Sequence, residues 1–466
     1  MSRQPERTLA RRGAFLLAAR IFPALALLLV MVWYSRLLSP EAYGLYQNTW
    51  VRYGLLSTLA CLGIPTVAQV IGPAEMTAGL QASSRKTRAG FGLLFGLSVF
   101  LFVFWNLAYL PPLLGAAFFS TWALATLAEG LALGQRRYRL VSAVNLGASV
   151  LFVALHGCFR ADPLWLFGSL AALAALRALL FWQVLRPHFR KTAGAGSTTR
   201  PASLPRLWRD LAVYDLIQQS SRLLDKALVG FLMVPALSAV YFNGAQEVPF
   251  LPLLLGAAGS AFLHQAADAT GTDAAGKAAF IRATGHWLAA FVFPLFWFLM
   301  LAREPLFEVV FGPKYQASVP IFAMTTLVLP LRAYPFSAML QHFRHTRWVL
   351  LGAAGDLVLA TLLAFVLYPL LGLPGIALAF ALSTLCMVLF YTWKTVQLTG
   401  LSLSALFPLR QWAAQFLLAA GVLYGLRTVL SLARLPSLWM VVVLGACAAG
   451  LALFLSLRSF RKTGQR

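Results

Sequence analysis

Acidic side chains are scarce in this chain: 14 Asp and Glu in 466 residues, beside 38 Lys and Arg. Charged residues of both signs make up only 11%, where soluble domains carry about a quarter. No polar stretch is long enough for a separate extramembrane domain, which excludes an enzyme housed in one, and no cofactor is expected. Cysteine is scarce too. Cys61, Cys158, Cys386 and Cys447 lie in or at the ends of apolar segments. None makes a CxxC or a metal spacing, so they read as small packing residues. The six histidines never form HxxxH or HExxH, and His342 and His345 sit in a basic loop, which argues against a metal centre. The net charge of +24 comes in short runs between apolar segments and not as a basic domain, so nucleic acid is excluded as a partner. "GTDAAGKA" (271–278) is one residue short of a phosphate-binding loop, has Ala278 where Ser or Thr would hold magnesium, and follows no strand. It reads as a flexible cytoplasmic loop.

What the chain has is apolar sequence: 60% hydrophobic residues and a mean hydropathy of +0.76. A helix needs about 20 largely apolar residues to cross a bilayer. That rule predicts an all-α polytopic membrane protein with fourteen spans. They lie near 13–36, 45–71, 89–110, 113–134, 139–160, 163–186, 210–233, 236–263, 279–302, 317–340, 348–371, 374–396, 410–432 and 436–457. The second, seventh and eighth are the most polar. With the N-terminus cytoplasmic, about 26 Lys and Arg fall on inside segments and about 5 outside, the asymmetry of the positive-inside rule. Both termini are therefore expected in the cytoplasm. Arg11 and Arg12 precede the first apolar run, but no small-residue cleavage site follows, so the first span is read as uncleaved.

An internal repeat divides the chain. "LLSPEAYGLYQN" (37–48) lies over "LMVPALSAVYFN" (232–243) at one offset of 195 residues, matching Leu37 with Leu232, Pro40 with Pro235, Tyr46 with Tyr241 and Asn48 with Asn243. Each copy follows the first helix of a six-helix bundle. Two parallel repeats flanking a substrate path is a recurring transporter architecture. Residues 1–190 are expected to form one lobe (spans 1–6), 191–209 a cytoplasmic linker and 210–400 the second lobe (spans 7–12). Residues 401–466 add two C-terminal helices and a basic tail.

The seventh span, "VYDLIQQSSRLLDKALVGFL" (213–232), is the anomaly. At 100° per residue Asp215, Gln218, Gln219, Arg222 and Lys226 share one stripe, with Asp225 at its edge. A cation at bilayer depth costs at least about 2.5–3.5 kcal/mol, so such a face turns from lipid. The stripe has two readings: the lining of a transport route, or a structural ion-pair network with Arg222 held by Asp215 or Asp225. Further cations, Arg20, Arg52, Arg177, Arg332 and Arg427, outnumber the embedded acids Glu129, Asp215, Asp225 and Asp356, with Glu247 a possible fifth. Snorkelling accounts equally well for Arg20, Arg177 and Arg52. Arg222 and Lys226 are mid-span and on one face. A guanidinium surplus suits a phosphate or pyrophosphate group. Aromatics such as Trp33, Tyr34, Trp348 and Trp393 fall near span ends as interface belts do.

The motifs "RLLSPEAYGLYQ", "LLDKALVGFLMVPALSAVYFNGAQ" and "EPLFEVVFGPKYQAS", with fourteen spans, resemble the polysaccharide-exporter branch of the multidrug/oligosaccharidyl-lipid/polysaccharide superfamily. Ser39, Pro40, Glu41, Tyr43, Gly44 and Tyr46 fit the first motif, and Phe311, Gly312 and Tyr315 the third. The resemblance spans nearly the whole chain and implies a multi-pass protein of the bacterial inner membrane. It implies flipping of a polyprenyl-pyrophosphate-linked oligosaccharide to the outer leaflet by alternating access, alongside other polysaccharide-assembly membrane proteins. The drug-exporting branch carries an acid in its first helix; here that helix has only Arg20, which disfavours a cation-coupled antiporter. A lipid II flippase is close in mechanism, and charge alone does not separate it. Asp215, Asp225, Asp356 and Glu129 are the candidates for ion coupling. A membrane-embedded glycosyltransferase, polymerase or ligase is disfavoured by the short outer loops.

Overall fold

The computed structural model describes residues 3–71, 85–160, 162–194, 204–246, 274–342 and 345–463, and every regular element among them is helical. The chain divides into two compact units, Met1–Leu223 and Leu224–Arg466.

The first unit opens with α1 (Arg3–Leu37), then α2 (Pro40–Cys61) and α3 (Ile64–Ile71). It continues with α4 (Arg85–Asn106), α5 (Pro112–Gly134), α6 (Tyr138–Cys158) and α7 (Pro163–Gly194). The break between α1 and α2 is written in "SPEAYG". Ser39 accepts from the Ala42 amide at 3.2 Å and Pro40 occupies the first turn, where its missing N–H costs nothing. Leu62 (φ 45°) and Gly63 (φ 67°) follow in the left-handed region, and α2 and α3 meet there at 55°. α5 packs on α7 and α1 on α6. Their contact is lined with small residues: Ala19, Ala128 and Ala132 interdigitate with Val141, Phe181 and Leu185.

The next helix, α8 (Leu204–Leu232), is continuous and contains the boundary between the units. The second unit continues with α9 (Pro235–Gly244) and α10 (Ala274–Phe311). After them the chain runs as short pieces: a 3-10 turn at Pro313–Ser318, α11 (Val319–Thr326), a 3-10 turn at Pro330–Ala333 and α12 (Ala338–His342). α13 (Thr346–Leu371) and α14 (Leu373–Thr399) form a hairpin about Gly372. The short α15 (Leu403–Leu406) leads to α16 (Leu409–Leu432) and α17 (Ser437–Thr463). These last two pack on α10 through Leu423, Leu430, Leu444 and Ala448 against Leu301 and Ala302.

Ten helices among the described residues are long and apolar enough to cross a membrane, and the α2–α3 pair makes an eleventh if it is one bent span. This is a multi-pass membrane protein. The ten correspond to the first, third to sixth, ninth and eleventh to fourteenth expected spans. The seventh is α8, whose charges keep it out of that group. The tenth is broken into short pieces: Pro320 and Pro330 sit in the first turns of α11 and the second 3-10 turn, and Pro335 follows the end of the latter. Most of the eighth, with Glu247 and the "GTDAAGKA" loop, lies outside the described residues.

Candidate functional site: the polar helix and the intramembrane charges

The polar stripe on α8 is divided between the two units. In its first half, Trp208 donates to the Leu62 carbonyl at 2.9 Å and Asp215 accepts from the Thr66 hydroxyl at 2.5 Å. Both partners flank the α2–α3 bend. Gln219 and Leu223 lie over Gly54 of α2, and Ala212 presses on Gly63 so closely that a Cβ there would come within 2.8 Å of its Cα. Asp215 is thus a tether for the bend. Gln218 is half-buried, and Arg222, at the end of this half, is exposed with no ion-pair partner among the described residues.

In the second half, Asp225 is buried and accepts from the Tyr241 hydroxyl at 3.0 Å. The Lys226 ammonium lies 3.5 Å from the same carboxylate oxygen, with 16% of its side chain exposed. Tyr241 is itself fully buried on α9. The expected pairing of Arg222 with Asp215 or Asp225 is not found among the described residues: Asp225 pairs with Lys226 and Asp215 with Thr66. Arg222 is the exposed charge of the stripe, and Lys226 is shared between its pair and the surface.

The repeat is visible in each unit. Tyr46 and Tyr241 are both fully buried six residues past the proline that opens their helix, and Asn48 and Asn243 are buried as well. Tyr46 finds a different partner. The His156 Nδ1–H donates to the Phe152 carbonyl at 2.7 Å, leaving Nε2 to accept from the Tyr46 hydroxyl at 2.9 Å. Histidine fills the role in the first unit that Asp225 fills in the second.

The remaining cations divide by surroundings. Arg177 of α7 binds Glu129 of α5 at 2.8 Å and the Asn145 Oδ1 of α6 at 3.0 Å, while Asn145 donates to Glu129 and to the Ala19 carbonyl of α1. Four helices meet at this cluster, so Glu129 is charge-compensated within its unit. Arg52 donates through Nη1 to the Trp105 carbonyl and to Asn106 Oδ1. Arg20 is exposed on α1, and Arg332 is half-buried in the second 3-10 turn. Arg427 lies 3.6 Å from the exposed Glu304. Asp356 is buried on α13 with one carboxylate oxygen lacking a hydrogen-bond partner. No group of three or more His, Cys, Asp or Glu among the described residues is placed to hold a metal. Sequence reading gave no role to Asn145 or His156; the only signal was that both are polar residues in one apolar span, α6.

Neither a protein-family model nor a curated protein matches the chain. Among solved structures, the lipid II flippase MurJ in its inward closed conformation aligns with a TM-score of 0.61 at 12% identity, over 94% of this chain and 99% of that one. The chain shares that fold. An outward-facing multidrug resistance MATE family transporter of the MOP superfamily aligns with a TM-score of 0.46 at 13% identity, over 85% and 97%. Both neighbours are transporters or flippases and neither is an enzyme.

Proposed function

We propose that this protein flips a polyprenyl-pyrophosphate-linked oligosaccharide from the cytoplasmic to the outer leaflet of the bacterial inner membrane, for surface polysaccharide assembly, by alternating access. The observation that carries the reading is the pair of cations on α8. Arg222 is exposed on a membrane helix, and Lys226 one turn away is partly exposed beside Asp225. A pyrophosphate can be held by Arg222 through paired hydrogen bonds and by Lys226 as a point charge. Arg20, exposed on α1, and Arg332, half-buried in the second 3-10 turn, are the further candidate cations of their own units. Arg52 is held by backbone and Asn106, Gln218 and Gln219 offer amides to sugars or phosphate, and Asp215 and Asp225 position the helix that carries the cations. Asp356 is the stronger candidate for ion coupling, because Glu129 already has a cation.

The similarity to a lipid II flippase supports a second reading, with lipid II as the cargo. A deletion strain separates the two. Extracted lipids should contain an accumulated polyprenyl-pyrophosphate oligosaccharide with loss of surface polysaccharide, and its sugars name the cargo. Accumulated lipid II moves the protein to the second reading. An unchanged lipid pool with raised drug sensitivity rejects both and favours an antiporter.

A further inference from the structure

Within the first unit, α5 and α6 are joined by residues 135–137 alone. The Arg137 amide donates to the Ala132 carbonyl at 3.2 Å and the Arg136 amide to the Leu133 carbonyl at 2.9 Å. This helix-ending pattern holds one residue in the left-handed region, where glycine is the usual occupant. Here that residue is Arg136, at φ 57°. A side chain is strained there and glycine would not be, so arginine is present at a cost. The same turn recurs between α16 and α17 in the second unit, with Arg434 at φ 52°. Arg434 stands alone, since no other Lys or Arg lies between 428 and 457.

Arg136 is not alone. Arg137 and Arg139 are exposed with it, and the exposed Arg186 of α7 follows Leu185, which packs with Ala132 and Val141 beside the turn. Among the described residues, none of these four guanidinium groups has an ion-pair or hydrogen-bond partner. Arg139 lies 5.4 Å over the Phe15 ring of α1. The one acid within 112–158, Glu129, is taken by Arg177. α6 starts at the turn with no side-chain cap, so its positive end adds to the arginines. Both helices are long and apolar enough to cross a membrane. A three-residue connection between them therefore lies at the depth of lipid headgroups. Cations gathered at that depth without an acid match a phosphodiester, which guanidinium groups hold by paired hydrogen bonds.

We infer that the α5–α6 turn is a binding site for the headgroup of an anionic phospholipid such as phosphatidylglycerol. Arg136, Arg137 and Arg139 hold the phosphodiester, with Arg186 beside them. The site uses none of the cations assigned to the cargo and does not depend on what the protein transports.

The test uses the purified full-length chain in neutral detergent, titrated with phosphatidylglycerol or with phosphatidylcholine of the same acyl chains. Retained lipid is counted by native mass spectrometry and the melting temperature is followed in parallel. Phosphatidylglycerol should bind about tenfold or more tightly than phosphatidylcholine, as two engaged arginines imply. Arg136→Gly removes a cation and the strain together. It should weaken phosphatidylglycerol binding about fivefold, the worth of one arginine at an anionic headgroup, while the lipid-free melting temperature stays equal or rises. Arg137→Gln should weaken binding by a similar factor and serves if Arg136→Gly does not fold. Arg434→Gly relieves the same strain away from the cluster and should leave the affinity unchanged. So should Arg85→Gln, at the exposed start of α4, on the side of the membrane where α5 ends. Equal binding of the two lipids overturns the site, as does full phosphatidylglycerol affinity in folded Arg136→Gly and Arg137→Gln. A loss in Arg85→Gln as large as theirs reduces the effect to a general surplus of cations and overturns it too. Inorganic phosphate that stabilises the protein as much as the lipid does overturns the lipid assignment.

Discussion

Replacing Arg177 by Met should destabilise the first unit by about 3 kcal/mol, and replacing Glu129 by Leu as well should restore most of that loss. The magnitude follows from the surroundings. The two side chains are only 12% and 24% exposed, and Arg177 bonds both Glu129 and Asn145. Removing one partner of a buried pair typically costs about 3–5 kcal/mol, because the other charge stays buried without compensation. Asn145 still donates to Glu129 in the single variant, which puts the expected cost at the lower end. Replacing both partners with apolar groups of similar volume is often near neutral. The coupling energy from the four-variant cycle should therefore be about 2–3 kcal/mol, read by unfolding titrations in mixed micelles at fixed lipid content. Single variants within about 0.5 kcal/mol of wild type, or a double variant as unstable as the sum of its singles, would refute the cluster's structural role. Transport settles a second point. If Glu129 only balances Arg177, the double variant still transports; if transport is lost while stability is restored, Glu129 takes part in coupling.

Arg222→Ala should cut transport at least tenfold at matched membrane levels while leaving the melting temperature nearly unchanged, since exposed charges contribute little to stability. Normal transport in that variant would remove Arg222 from the cargo path. Tyr241→Phe should destabilise by about 1–3 kcal/mol, because it takes a hydrogen bond from a buried carboxylate; Tyr46→Phe, whose partner is a neutral histidine, should cost less, and a reversed order in the same unfolding assay contradicts the assignment. Gly63→Ala should destabilise by more than about 1 kcal/mol, since alanine is strained at positive φ and its Cβ meets Ala212. A melting temperature equal to wild type would mean that the α2–α3 bend is not held there. Asp356→Asn should uncouple transport from an imposed proton or sodium gradient in proteoliposomes, and full gradient dependence in that variant would exclude Asp356.

Much of the helical organisation is legible in the sequence because membrane spans are set by length and apolarity, both local properties. The prolines at 40 and 235 mark the same break in each unit, and the matched Tyr46 and Tyr241 take equally buried places. The polar stripe on α8 was legible as a departure from lipid-facing sequence, but its partners were not. Periodicity places Asp215 and Asp225 near one face, and nothing in spacing says that the first tethers Thr66 of α3 while the second takes a tyrosine sixteen residues on. Those pairings depend on how helices distant in sequence are packed. The same holds for Asn145, whose role exists only because α1, α5 and α7 converge on it. From sequence, Arg177 reads as part of a cationic interior or as a snorkelling residue; its burial beside Glu129 makes it one half of an ion pair.

The polarity of α8 also bears on how the protein is made. Charges near a helix centre oppose partition from the translocon into lipid by about 2.5–3.5 kcal/mol each, and α8 carries Asp215, Arg222, Asp225 and Lys226. Its leucines, at a few tenths of a kcal/mol each, do not offset that sum. The helix therefore cannot settle in the bilayer as an independent segment during synthesis. Its amino-terminal half has a docking place already made, since Thr66 and the Leu62 carbonyl are translated before it. Its carboxyl-terminal half needs Tyr241, which leaves the ribosome only afterwards. Insertion of α8 thus begins from its amino-terminal half, and a ribosome-bound chain whose residues to 232 have emerged while Tyr241 is still in the exit tunnel should hold α8 at the translocon still awaiting release.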